Sequence, residues 1–170
     1  MDKGRFSKPL SVLVVLGSRS DKALAEEAKS VFDEFGVAAG YEVCSAHRDH
    51  ERLVGMIPAA EAAGVQVFIC AAGMAAHLPG VVAALTVKPV IGIPGSSGLL
   101  GADALLSIVQ MPPGIPVATV GIDAARNAAL LALQILALSD AQLATKLSEY
   151  RGALTQRNRL DSAKLREELG

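Results

Sequence analysis

The chain has 170 residues, enough for one domain and too few for two ordinary ones. Hydrophobic residues make up 51% and charged residues 19%, which excludes disorder as the general state. Sixteen basic against seventeen acidic residues leave a net charge of -1 without a basic stripe, and aromatics are 4% with no tryptophan, so neither duplex nucleic acid nor a base-stacking platform is expected. Mean hydropathy is high at +0.40, yet the unbroken apolar runs are short. Ala128 to Leu133 stops at Gln134, well below the roughly 18 residues a spanning helix needs. Met1 to Lys8 is polar and carries no apolar signal core, so a cytoplasmic location is expected. Two cysteines do not make a disulfide framework. So much apolar, Ala-rich surface on a small chain predicts a homo-oligomer with shared cores.

In chain order, Ser11 to Leu16 is β-branched, short and ended by Gly17, the pattern of a strand buried on both faces. Ser20-Asp21 then precede a helix over Ala23 to Phe35, with Gly36 as its stop. Tyr41 to Cys44 is a second strand and Glu51 to Ala63 a second helix, closed by Gly64. Val65 to Cys70 is the third strand, followed by a Gly-containing turn and a helix near Pro79 to Leu85. Pro89 to Ile93 is the fourth strand, Ala102 to Gln110 a helix, and Pro116 to Val120 the fifth strand. Asn127 to Leu138 is an almost wholly apolar helix, and the polar tail from Asp140 to Leu169 reads as one or two helices. Alternating strands and helices predict right-handed βαβ units and a doubly wound parallel sheet, a single α/β domain over residues 9–150 with a helical carboxy-terminal tail over 151–170.

In such a sheet ligands sit beyond the carboxyl ends of the strands. That rule selects Gly17-Ser-Arg-Ser-Asp21, Ser45-Ala-His-Arg48 and the stretch from Ala71 to Gly80. The first offers a glycine and hydroxyls at a helix start, where backbone N–H groups favour an anion. It matches neither the dinucleotide nor the P-loop spacing, so a monophosphate fits better than a pyrophosphate; the alternative is that Ser20 or Asp21 only caps the helix. The second places a proton shuttle, His47, beside a fixed cation, Arg48, able to grip phosphate. Its plain alternative is a surface histidine and arginine. Cys44 and Cys70, each read as lying at a strand end, are small buried hydrophobes rather than nucleophiles. The third stretch has little side-chain bulk and lets a planar ligand approach the backbone, or simply lets a helix pack closely on the sheet, with His77 inside. The three histidines, His47, His50 and His77, have no supporting metal-ligand pattern, and no metal is expected.

Together with Ala75-Ala-His-Leu-Pro-Gly80, Ser107-Ile-Val-Gln-Met-Pro112, Gly114-Ile-Pro-Val-Ala-Thr119 and Asn127-Ala-Ala-Leu-Leu131, the first two segments stand in the order that resembles the N5-carboxyaminoimidazole ribonucleotide mutase family of purine biosynthesis. The resemblance covers roughly residues 11 to 150. It implies a three-layer α/β/α, flavodoxin-like subunit in a homo-octamer, working without metal or organic cofactor. It implies transfer of a carboxylate from the exocyclic nitrogen of the imidazole ribonucleotide to ring carbon four, by loss and recapture of CO2. By matched position, Ser18, Asp21, Ser45 and Arg48 would bind the ribose phosphate end and His47 would be the general acid/base. Ala72, Gly73, His77 and Leu78 would border the ring and its carboxylate.

Three features depart from the family pattern. Asp49-His50 follow the histidine-arginine pair where threonine-proline is common, Met74 stands where a second glycine is usual, and Gly95-Ser-Ser-Gly98 replaces a bulkier segment. The alternatives are an aminoimidazole ribonucleotide carboxylase using free CO2, a related carboxylase on another nucleotide-linked heterocycle, or a non-catalytic nucleotide-binding module. Arg48 favours the mutase, since the animal-type carboxylases tend to have lysine at that position.

Overall fold

The computed structural model describes residues 9–170; the segment read above as lacking a signal core, residues 1–8, lies outside them. Five strands form one parallel sheet in the order β2-β1-β3-β4-β5, with β1 Val12–Leu16, β2 Ala39–Val43, β3 Val67–Gly73, β4 Val90–Gly95 and β5 Ala118–Thr119. The helices are α1 Lys22–Phe35, α2 His50–Ala62, α3 Leu78–Leu85, α4 Ala102–Val109, α5 Ala125–Leu136 and α6 Ala141–Leu169. This is the doubly wound, flavodoxin-like α/β fold expected from the sequence. Chain order reverses between β1 and β3, which makes the carboxyl ends of those two strands the switch point.

The inner strands are buried along their whole length in β1 and β4 and nearly so in β3, as a parallel sheet covered on both faces requires. Side chains alternate across it. Leu13 and Val15 of β1, with Phe68, Cys70 and Ala72 of β3, join Leu53 and Ile57 of α2, Val82 of α3 and Ile108 of α4 in one core. Val12, Val14, Ile69 and Ile91 point the other way and are equally buried, as are Ala28, Val31 and Phe32 of α1, which packs along β1 and β2. Fully burying one such side chain is worth about 1.5–3 kcal/mol, and this core holds the switch point rigid. Gly92 shows how tightly: a Cβ there would come within 2.4 Å of Ile108 Cγ2.

Element types match the expectation, and the boundaries differ for identifiable reasons. The third strand starts at Val67 rather than Val65, because the Val65 N–H turns back to the Ala60 carbonyl and ends the preceding helix. It runs on to Gly73 rather than stopping at Cys70, because Ala71, Ala72 and Gly73 pair with Ile93, Pro94 and Gly95 of β4. Ala72 and Gly73 are therefore strand residues, not turn residues, and Cys70 lies inside the strand. The fifth strand shrinks to two residues, since Pro116 lacks the N–H a ladder needs. Gly36, at φ 73°, ends α1 in the left-handed conformation its sequence position predicts.

Chain contacts divide the protein into two compact units, one through Ala132 and one from Leu133. In the second, the polar tail is one continuous helix. Asp140 caps it, its Oδ1 accepting from the Gln142 and Leu143 N–H groups at 3.0 Å each. Among the described residues no helix is long and apolar enough to cross a membrane.

Candidate active site

The switch point opens into a cleft of about 660 Å³. Every residue that the resemblance assigns to the site lines it: Ser18, Asp21, Ser45, His47, Arg48, Ala72, Gly73, His77 and Leu78. Ser20, Ala46, Met74, Ala75, Gly95, Ser96 and Ser97 complete the wall. The segment after β4 was singled out only as a departure from the family pattern and not as a wall of the site, although the rule that selected the other three applies equally to that strand end. His50 is the first residue of α2 and does not line the cleft. Cys44 and Cys70 are buried and form no disulfide, neither lines the cleft, and burial pushes the Cys70 thiol well above its ordinary range.

The turn after β1 begins with a short helical step in which the Ser18 hydroxyl accepts from the Ser20 N–H at 3.3 Å. Ser18 thus caps this short step and not α1, the helix whose cap the sequence assigned to Ser20 or Asp21. Asp21 stands at the start of α1 and makes no side-chain cap. Partial burial pushes its carboxyl up from the ordinary 3.8, against the downward pull of hydrogen bonds from the Ser20 hydroxyl and the Ser18 backbone; the negative charge of Asp123 adds a further push. The carboxyl therefore stands at the cleft wall partly dehydrated, with the Ser20 hydroxyl on Oδ1 at 3.3 Å.

Arg48 reaches back from the turn after β2, its Nη2 donating to the Gly17 carbonyl at 2.9 Å. This bond ties the first two turns together and points a permanent cation at the Ser18 turn while using only part of the guanidinium. Arg52 secures the same segment from below, donating to the Val43 carbonyl at 2.9 Å and to Glu42 at 2.8 Å.

The two cleft histidines, thirty residues apart in sequence, meet directly. His47 Nε2 lies 2.7 Å from His77 Nδ1, with the rings nearly perpendicular at 79°. One N–H fills that gap, so each ring keeps its other nitrogen for the cleft or solvent. His77 arrives there by a tight turn, in which Ala76 N–H donates to the Met74 carbonyl at 2.9 Å and His77 N–H to that of Ala75 at 2.7 Å. Met74 sits at φ 56°, left-handed, which explains why a glycine is usual there.

Comparison with known proteins places this geometry. Residues 11–157 match the AIR carboxylase family model. The chain belongs to that family. It is 51% identical over 156 residues to the N5-carboxyaminoimidazole ribonucleotide mutase of Methanocaldococcus jannaschii, covering 92% of this chain and 98% of that one. It is 48% identical over 152 residues to the enzyme of that name from Escherichia coli K12, covering 88% and 90%. Among solved structures, Treponema denticola PurE superposes with a TM-score of 0.84 at 33% identity, covering 91% of this chain and 97% of that one. The family match spans all four strand ends that build the cleft.

Proposed function

We propose that the protein is an N5-carboxyaminoimidazole ribonucleotide mutase, acting on a small ribonucleotide with CO2 as a trapped intermediate and with His47 as the general acid/base. The observation that carries the reading is the placement of His47 and Arg48 side by side on one turn of the family cleft. One group can move a proton there and its neighbour can anchor a phosphate. Arg48, Ser18 and Ser45 suit the phosphate; Asp21, an anion itself, suits ribose hydroxyls, which donate to it. Ala72, Gly73 and Leu78 give the planar ring a small, apolar floor.

The proton accounting needs a single base. Protonated His47 delivers its proton to the exocyclic nitrogen, and the carbamate C–N bond breaks to give CO2 and a neutral aminoimidazole. The electron-rich carbon four then attacks CO2, forming the C–C bond, and the ring carries both a hydrogen and a carboxylate at that carbon. Neutral His47 removes that hydrogen, restoring aromaticity and its own starting state. His77 holds the His47 imidazole in register throughout, and phosphate binding far from the reacting atoms supplies the orientation. Holding CO2 against the small-residue wall keeps it from solvent.

The homo-octamer belongs to the same proposal. Between Pro89 and Ile122 the sequence has one charged residue, Asp103, and this segment exposes Leu99, Leu100, Leu106, Val109 and Ile115. The Asp103 Oδ1 atom is buried without a hydrogen-bond partner among the described residues. An apolar surface so nearly without charge is what a self-association face looks like before assembly.

The test is turnover by the purified chain. Carboxyaminoimidazole ribonucleotide should isomerise to the carbon-carboxylated product without bicarbonate or ATP. Product formed only from aminoimidazole ribonucleotide with bicarbonate would establish the carboxylase instead, and thermal stabilisation by nucleotide with no product would leave a binding module.

A further inference from the structure

We infer that Ser97 is a positioning residue for the histidine pair, acting through the backbone of Met74 rather than on the substrate; the inference rests on the reading of His47 as the acid/base. Met74 holds a left-handed backbone, φ 56°, which a residue bearing a Cβ keeps only where its surroundings over-determine it. Its side chain is 66% exposed, so burial of the thioether does little to hold it. Hydrogen bonds on both sides do. On the carboxyl side the Met74 carbonyl accepts from Ala76 N–H at 2.9 Å, a bond inside the turn itself. On the amino side the Met74 N–H donates to Ser97 Oγ at 3.0 Å, and this bond comes from a different strand end.

The seat of Ser97 is itself fixed. A Cβ on Gly73 would meet Ser97 Oγ at 3.2 Å and its Cβ at 3.4 Å, so the hydroxymethyl group lies in the space that glycine leaves open. Gly73 and Gly95 are the last pair of the β3–β4 ladder. Ser97 thus clasps the turn to the end of β4 just where the sheet stops doing so. Three residues beyond Met74, His77 presents Nδ1 to His47 Nε2 at 2.7 Å. A change of φ at Met74 swings everything after it, and the first side chain with chemistry downstream is that imidazole. Without the Ser97 acceptor, Met74 is free to relax to negative φ, carrying His77 away from His47.

Ser97 also lines the cleft, so a direct ligand contact has to be separated from action through Met74. The combination of Ser97→Ala with Met74→Gly does this, because glycine adopts positive φ without the clasp. In Ser97→Ala we expect kcat to fall about tenfold or more, with KM changed much less, as misplacement of a reacting group does. Ser97→Thr, which keeps the hydroxyl, and Met74→Gly/Ser97→Ala should both recover most of that loss. In ligand-free protein, nitrogen-edited NMR should show the imidazole proton between His47 and His77 weakened in Ser97→Ala and restored in the double variant. That arm decides the inference even if the substrate proves to be a different nucleotide. An activity loss that Met74→Gly does not rescue, with the shared-proton signal intact, would assign Ser97 to the ligand and overturn the proposal. Rapid hydrogen exchange at the Met74 amide of the unaltered protein would overturn it too, whatever any variant does on folding.

Discussion

The two walls of the cleft are made of different material. The wall after β1 and β2 is a set of side chains: Ser18, Ser20, Asp21, Ser45, His47 and Arg48, cross-linked by the Arg48 bond to the Gly17 carbonyl. The wall after β3 and β4 is mostly backbone and small groups, Ala72, Gly73, Ala75, Gly95, Ser96 and Ser97, with His77 as its titratable member. A nucleotide has the same two halves. Its phosphate and sugar need charge and acceptors, and its flat base needs close approach without bulk. On the proposed reading recognition is divided by chemistry between the two walls, and the 2.7 Å contact of His47 with His77 is where they meet.

The largest expected effect comes from breaking that junction on one side. His47→Asn keeps a polar group of similar size and removes the transferable proton. Turnover should fall about 10²–10⁴-fold, the ordinary worth of a positioned acid/base, while nucleotide binding by calorimetry stays within a few-fold because the phosphate grip is untouched. His77→Asn, measured beside it, should lose less. Were the order reversed, the proton would belong to the small-residue wall.

A smaller effect tests the charged wall. Asp21 is kept as a carboxylate against the dehydration that pushes its pKa up from 3.8. A carboxyl raised in the folded state holds its proton more tightly there than in the unfolded chain. Its contribution to stability is full below pH 3.8 and is lost as pH rises through the folded value. Asp21→Asn, which never ionises, should therefore melt slightly higher than the parent at pH 7, with the difference closing below pH 3.8. Water reaches the group, so the gain is small. Nucleotide affinity should fall about tenfold, the worth of one charge-assisted hydrogen bond. A site residue that is better for binding than for stability gives this opposition; a variant that lost stability at neutral pH would make Asp21 structural.

The charged wall was the legible one. Hydroxyls, Asp21, His47 and Arg48 advertise their chemistry by residue type, and the strand-end rule places them together. The other wall resisted reading because its information lies in the backbone. Ala71-Ala72-Gly73 has the composition of a turn, yet the ladder to Ile93, Pro94 and Gly95 holds it as strand. Residue type alone gives no sign of positive φ at Met74, although the glycine usual at that position does, and the role of Ser97 shows only once its hydroxyl is seen under the Met74 N–H. The histidine contact joins residues thirty apart, and no local pattern encodes it. The fold itself was legible because burial on both faces of the inner strands leaves a plain hydrophobic signature; strand ends moved where Pro116 and the exit of α2 trimmed a strand, where the ladder to β4 lengthened β3, and where β2 begins at Ala39.

The finest test compares one glycine from each wall. At Gly17 an added Cβ would find the Ala71 carbonyl at 3.5 Å and Ala72 Cβ at 3.6 Å, ordinary contact distances. At Gly73 it would press on Ser97 Oγ at 3.2 Å, a group already engaged with the Met74 N–H at 3.0 Å. Gly73→Ala should therefore lower stability by about 1 kcal/mol, at the mild end of overpacking, and Gly17→Ala by less. The ranking follows from the distances: the Gly17 methyl meets its neighbours at ordinary contact, whereas the Gly73 methyl presses on a hydroxymethyl group that its bond to the Met74 N–H holds in place. Thermal melts of the two variants read the order directly. Equal losses would mean that the Ser97 hydroxymethyl group gives way to the methyl group at no cost, and that the clasp on Met74 is loose.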